Sequence, residues 1–123
     1  VILAHNEVGV IQPMMEIAAM AHRVGAQLMS DCVQAVGKMP LNLDTLGIDI
    51  AIVSAHKCYA PTGCGALIIK DTNILKPWIL GGAQQQKLRA GTVHVLGTEL
   101  FSQTLPYASI KNRLDLRNHY SIL

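Results

Sequence analysis

The sequence predicts an α/β fold, a mostly parallel sheet flanked by helices, and three observations carry the expectation. Continuous apolar runs of strand length recur at residues 1–4, 26–30, 48–54 and 66–70. A stretch of helical periodicity separates the first two. Runs without polar alternation also suit strands covered on both faces, as helix-flanked parallel sheets require.

Taken in order, residues 1–4 form a short apolar strand and His5-Asn6-Glu7-Val8-Gly9 a loop. Gln12-Pro13 sets up a helix over about 14–24, with proline at or near the first turn. Met15, Ile17, Ala18, Ala21 and Val24 recur near helical spacing and are expected to pack on the sheet. Gly25 ends that helix, and residues 26–30 read as a second strand closing on Asp31. Residues 32–37 read as a helical turn or short helix. The connection 41–47 contains Asp44, a suitable N-cap for one turn.

The third strand is 48–54, and the loop 56–65 after it holds Pro61, Gly63 and Gly65. Residues 66–70 form a fourth strand. The chain then runs through Gly81-Gly82-Ala83 and Arg89-Ala90-Gly91-Thr92 as an extended polar loop. A helix is expected to begin near 95–97 and to be interrupted by Pro106. The domain division expected is 1–97 as one unit, with 98–123 a divergent tail, truncated or poorly ordered.

Composition narrows the function classes. The 123 residues are 50% hydrophobic and 15% charged, enough for one domain with a real core. A net charge of +2 with no basic stripe gives nucleic-acid binding little electrostatic support. No apolar run approaches a membrane span, so no membrane partner is expected. The opening Val-Ile-Leu-Ala, without an initiator methionine, suggests a piece of a longer protein. Cys32, Cys58 and Cys64 are odd in number with no C-x-x-C pair, which fits a reducing, cytoplasmic setting. Zinc on His56, Cys58 and Cys64 would have three ligands at wrong spacing; ordinary small buried thiols are the better reading, and no metal is expected.

In open sheets of this kind ligands sit beyond the carboxyl ends of the strands. Asn6, Asp31 and Lys57 all lie just past such ends. Lys57 closes an apolar run through Ser54, Ala55 and His56, where burial would lower its pKa and leave an amine able to form a Schiff base. Pyridoxal 5'-phosphate needs that lysine, an acid at its pyridine nitrogen, and donors to its ring hydroxyl and phosphate. Asp31 suits the acid, Gln34 one helical turn on suits the ring oxygen, and Ser54 with His56 suits the phosphate. Singly, each has a plainer reading. Asp31 would be an N-cap, Gln34 a surface residue, His56 a loop histidine, Ser54 a strand end and Lys57 a solvated lysine. Together, in this chain order, they serve one cofactor.

The segments Asn6-Glu7-Val8-Gly9-Val10-Ile11-Gln12-Pro13, Asp31-Cys32-Val33-Gln34-Ala35-Val36-Gly37-Lys38, Ser54-Ala55-His56-Lys57-Cys58-Tyr59-Ala60-Pro61-Thr62-Gly63 and Leu88-Arg89-Ala90-Gly91-Thr92 resemble the cysteine desulfurases. These belong to the fold-type I, class V aminotransferase group of pyridoxal phosphate enzymes. The resemblance covers residues 1–97 and implies the central part of the transferase large domain. It implies that Lys57 carries the cofactor and shuttles the substrate α-proton, and that Asp31 pairs with the pyridine nitrogen. Gln34 and Asn6 would meet the ring hydroxyl oxygen, and Ser54 and His56 the phosphate. Arg89 would take the substrate carboxylate. Thr92 would reach the phosphate of a neighbouring subunit's cofactor, in a homodimer with shared sites.

The reaction implied removes sulfur from L-cysteine to give L-alanine and an enzyme persulfide. A sulfur-acceptor protein then supplies iron–sulfur clusters or tRNA thiolation. The chain departs from the family pattern at His5, at Ala83-Gln84-Gln85-Gln86-Lys87 and at Val93-His94. No cysteine follows Cys64, where the persulfide-carrying thiol would lie downstream of Thr92. Two readings therefore stand beside the first. One is a selenocysteine lyase or cysteine sulfinate desulfinase relative. The other is a catalytically inactive piece acting at most as an interaction module.

Overall fold

In the computed structural model, residues 1–108 are described. The elements are helix α1 (Met14–Arg23), strand β1 (Met29–Asp31), the short helix α2 (Leu43–Leu46), β2 (Ile50–Ser54), β3 (Gly65–Ile69) and helix α3 (Val95–Thr104). Single 3₁₀ turns lie at Ala55–Cys58, Thr72–Ile74 and Gln85–Lys87. None of the described helices is long and apolar enough to cross a membrane.

The sheet has the order β1-β2-β3, with β1 and β2 parallel and β3 antiparallel to β2. Residues 1–4 run alongside β1 in parallel, joined by an Ile2–Asp31 bridge and by Leu3 N donating to Asp31 O at 3.0 Å. They form isolated bridges rather than a full strand. The chain turns back at once, with His5 N donating to Val10 O and Ala4 bridging Ile11 antiparallel. The architecture is thus the expected α/β sheet, parallel from its first segment through β2, with an antiparallel edge.

Helix α1 starts just past Pro13, which needs no N–H there, and carries Glu16 in its first turn with His22 and Arg23 in its last. Both placements suit the helix dipole. Its inward stripe is Met14 and Ala18, with Ile17 packed beside them. Met15 and Val24, expected on that stripe, are 57% and 80% exposed. Met15 lies one residue, about 100°, off the Met14–Ala18 line, and Val24 is already the C-cap. Gly25, at φ +72°, completes a Schellman end, with Ala26 N donating to Ala21 O and Gly25 N to His22 O.

Those bonds explain why β1 is shorter than the apolar run suggests. Ala26 is committed to the helix end, so ladder pairing begins at Met29. The same holds at β2, because Ile48 N donates to Leu43 O and closes α2. The cap of α2 also differs from expectation. Asn42, extended at φ −128°, accepts from Thr45 N through its side chain, whereas Asp44 sits inside the first turn and pairs with Lys70 Nζ at 3.0 Å. Asn42 wins because only the residue preceding the helical φ/ψ can reach back to N3.

The core gathers Leu3, Met14, Leu28, Cys32, Ile48, Ala51 and Val53 with Phe101 of α3. Cover on both faces holds for β2 but not for β1 or β3, where Met29, Leu67 and Ile68 are 44%, 45% and 43% exposed. One face of β2 and β3, the 36–43 turn and α3 line an open apolar hollow of about 580 Å³. The boundary expected at Gly97 falls inside α3. Phe101 and Ala108, beyond it, are buried in the same core, and the rest of the expected tail lies outside the described residues.

Two contacts fix α1 against the sheet. Gly47, at φ +69°, leaves no room for a side chain, since a Cβ there would stand 2.6 Å from Ala18 Cβ. Asp49 Oδ2 accepts from Leu28 N at 2.7 Å and meets His22 Nε2 at 2.8 Å, tying the end of α1 to the start of β2. Burial works to raise the Asp49 pKa. The Leu28 N–H bond, the His22 bond and the charges of His22 and Lys70 outweigh it, so the carboxyl lies below its usual 3.8.

Gly47→Ala combines left-handed strain with that clash and should cost about 2–4 kcal/mol, read as a lower urea midpoint. Because the native Asp49 pKa is depressed, its contribution is fully present above about 3.8 and is lost as pH falls through the lower native value. Asp49→Asn should therefore be less stable than wild type at neutral pH, the two curves converging in acid. A constant gap at every pH would refute that origin.

Candidate active site

The parallel pairing brings the chemistry to one edge. Asp31 is the last residue of β1 and stands opposite Ile52, with Cys32 N donating to Ile52 O at 2.9 Å. Ser54 ends β2 two residues further on, and His56 and Lys57 follow in the 3₁₀ turn. Asn6 lies exposed in the loop beyond residues 1–4, the strand-like segment on the other side of β1. All three parallel segments therefore discharge their polar residues at the same, carboxyl, end of the sheet.

Asp31 is half-buried and is not a helix N-cap. Its Oδ1 accepts from Val33 N at 2.9 Å, a two-residue turn that fixes the carboxylate. Oδ2 has no hydrogen-bond partner among the described residues. The turn continues with Ala35 N and Val36 N donating to Cys32 O, placing half-buried Gln34 and Lys38 four residues apart on one side. Lys38 Nζ donates to Gln34 Oε1. That link escaped the sequence reading, although the i, i+4 spacing in a helical turn was its visible signal.

The 3₁₀ turn divides its side chains. Ala55 and Cys58 are fully buried, while His56 and Lys57 face outward. The expectation that burial tunes Lys57 is therefore corrected. A turn that spends two of its four positions on the core must present the other two to the surface. Ser54 Oγ and His56 Nδ1 are 2.8 Å apart, which orients the imidazole. Beneath the turn, Cys58 Sγ approaches Val36 O at 3.7 Å, linking the Lys57 loop to the turn that carries Asp31 and Gln34. The turn closes through Tyr59 at φ +66°, a left-handed conformation held by Ala60 N donating to Ala55 O.

Cys32, Cys58 and Cys64 form no disulfide among the described residues. Burial pushes the Cys32 thiol pKa up, opposed in part by the Ser30 hydroxyl. Ser30 Oγ is itself buried without a well-formed hydrogen bond. Cys64 is 3.8 Å from Thr98 Oγ1, which ties the end of the loop to α3.

Arg89 and Thr92 are not brought into bonding contact with the rest of the set. Arg89 is exposed and donates from Nη1 to Ala90 O at 2.9 Å, its guanidinium lying over Gly91. Thr92 is exposed on the same loop. This loop holds an unusual run: Gln85, Gln86 and Lys87 all have left-handed φ, at 49°, 57° and 67°. Leu88 N donating to Gln85 O, and Gly91 N donating to Gln84 Oε1 at 3.3 Å, hold the loop ends together. Gln84 as a brace carries no signal in the sequence.

The donor set fits pyridoxal phosphate. A fixed half-buried carboxylate with an open oxygen suits a protonated ring nitrogen, and an outward amine suits a carbonyl. An oriented imidazole beside a hydroxyl suits a phosphate.

Comparison with known proteins gives the same direction. The aminotransferase class-V family pattern matches residues 1–121. The chain is 44% identical over 94 residues to cysteine desulfurase IscS of Dictyoglomus turgidum, covering 76% of this chain and 24% of that protein. Among solved structures it is similar to a NifS-like protein from Rickettsia africae, with TM-score 0.82 and 36% identity over 90% of this chain and 31% of that one. It is also similar to a structure of SspA in complex with cysteine, with TM-score 0.81 and 30% identity over 86% of this chain and 31% of that one. The chain thus spans about a quarter of the length of the curated relatives it matches.

Glycine relieves a left-handed penalty of about 1–2 kcal/mol but adds chain entropy on unfolding. Lys87→Gly should stabilise the chain by about 0.5–1 kcal/mol in urea denaturation. Destabilisation would mean that the Lys87 side chain contributes more than its backbone costs.

Proposed function

Because the chain belongs to the class-V aminotransferase family, whose members depend on pyridoxal phosphate, we propose that it carries the cofactor-binding edge of a cysteine desulfurase. The observation that supports this most directly is the shared carboxyl end of the parallel segments, which places Asp31 and the Ser54-His56-Lys57 group together.

Pyridoxal phosphate, when bound, supplies an electron sink for charge developing at the substrate α-carbon. Lys57 is the amine that would hold the cofactor covalently and then move the substrate α-proton. Asp31, with one oxygen fixed by Val33 N, would keep a proton at the pyridine nitrogen through the other. Ser54 and His56 would donate to the phosphate, and Gln34 and Asn6 to the ring hydroxyl oxygen. Arg89 would take the carboxylate of L-cysteine as a two-pronged contact. That role needs the side chain to leave Ala90 O, and a surface guanidinium can do so at small cost. Thr92 would serve the cofactor of a second subunit in a homodimer.

The products of the whole reaction would be L-alanine and a protein persulfide. The sulfur would pass to an acceptor protein for iron–sulfur assembly or tRNA thiolation. A cytoplasmic setting accords with three cysteines that form no disulfide among the described residues. A second reading is favoured by one observation: residues 65–123 contain no cysteine, so these residues cannot carry the sulfur downstream of Thr92. On that reading this stretch binds the cofactor, or serves as an interaction module, without turnover of its own.

The test is a titration of the 123-residue chain with pyridoxal phosphate. A weak yellow absorbance is expected in wild type and none in Lys57→Ala, with no sulfide released from L-cysteine. Equal absorbance in both proteins would remove Lys57 from the role given to it. Robust sulfide release would overturn the second reading.

A further inference from the structure

Lys38 is outside every role given above, yet it is bonded to a residue that has one. We propose that Lys38 is a positioning residue: by occupying Gln34 Oε1, it fixes the orientation of the Gln34 amide so that the group Gln34 presents is its Nε2 donor. The inference rests on the reading of Gln34 as the contact to the cofactor's ring oxygen.

A carboxamide has one acceptor end and one donor end, and rotation by 180° exchanges them at little intrinsic cost. An unaided glutamine would therefore show a ligand either end. An ammonium group carries three donors and no acceptor, so it can engage only the oxygen. Lys38 Nζ does engage Gln34 Oε1, and the backbone makes the pairing local. Val36 N donates to Cys32 O at 3.0 Å and Met39 N to Ala35 O at 3.1 Å, which keeps residues 34 and 38 one turn apart. Both side chains are half-buried, so the pair is less exposed to competing water than a surface pair. The charge also polarises the amide, making Nε2–H a better donor to an oxygen that bears negative charge. An acceptor ligand is thereby favoured over a donor ligand at this position.

The full chain is compared as wild type, Lys38→Met, which keeps the stem without donors, and Lys38→Arg, which restores them. In ¹⁵N-labelled protein the Gln34 side-chain amide should be ordered in wild type and Lys38→Arg but rotationally averaged in Lys38→Met. Other side-chain amides should be unchanged, which a general loss of fold would not produce. Pyridoxal phosphate should bind about 3- to 10-fold more weakly to Lys38→Met, the worth of one ordinary hydrogen bond, and near wild-type strength to Lys38→Arg. With the analogue lacking the ring hydroxyl, that difference should disappear.

An ordered Gln34 amide in Lys38→Met overturns the proposal, as does a cofactor deficit that persists with the deoxy analogue. Should wild type itself bind no cofactor, the reading of the site fails. The amide signals still decide whether Lys38 sets the orientation.

Discussion

The placement of Asn6, Asp31, Ser54, His56 and Lys57 depends on parallel pairing between β1 and its two neighbours. Leu3 N to Asp31 O on one side and Cys32 N to Ile52 O on the other hold three segments in register around Asp31. A slip of one residue would turn every side chain to the opposite face. It would exchange buried Ser30 for Asp31 and remove the carboxylate from the edge where Lys57 emerges. Register is fixed by the apolar residues behind it. Leu3, Ala51 and Val53 are buried, and a slip would break the packing each makes in the core.

Behind that edge, small residues do the fitting. The turn that presents His56 and Lys57 rests on Ala55 and Cys58, both fully buried, and Cys58 Sγ reaches toward Val36 O. A thiol is small, apolar and a weak donor, so it packs in the core while meeting a carbonyl a larger aliphatic could not approach. Gly47 performs the matching service for α1, whose Ala18 presses against it. Close approach at both places keeps the sheet edge rigid where polar groups must hold fixed positions. Precision of this kind is what a cofactor site requires from its supporting shell.

The loop bearing Arg89 and Thr92 contrasts with that edge. It holds a three-residue left-handed run outside glycine and is braced by Gln84, with nearly all its side chains exposed. Strain of this sort persists only where surrounding contacts over-determine the backbone. Here those contacts are mostly the loop's own: Lys87 N donating to Ala83 O and Gln84 O, Leu88 N to Gln85 O, Gly91 N to Gln84 Oε1, with Ala90 N donating to Ile79 O. The two halves of the candidate site thus differ in kind, one set into a packed core and the other held on a surface loop.

The amino-acid order alone reveals a great deal. Apolar runs mark the strands, Pro13 and Gly25 bracket the first helix, and Asp31, Ser54, His56 and Lys57 stand where ligands gather in such folds. These signals are local: periodicity, proline's missing donor and glycine's freedom at positive φ act within a few residues. What folding adds rests on partners far apart in the chain. Asp44, inside the first turn of α2, pairs with Lys70 from the far end of β3. Lys57 points outward because Cys58 fills the core beneath it, against a carbonyl twenty-two residues away. Which side of a turn faces the core depends on what is packed there. Only the assembled sheet supplies that neighbour.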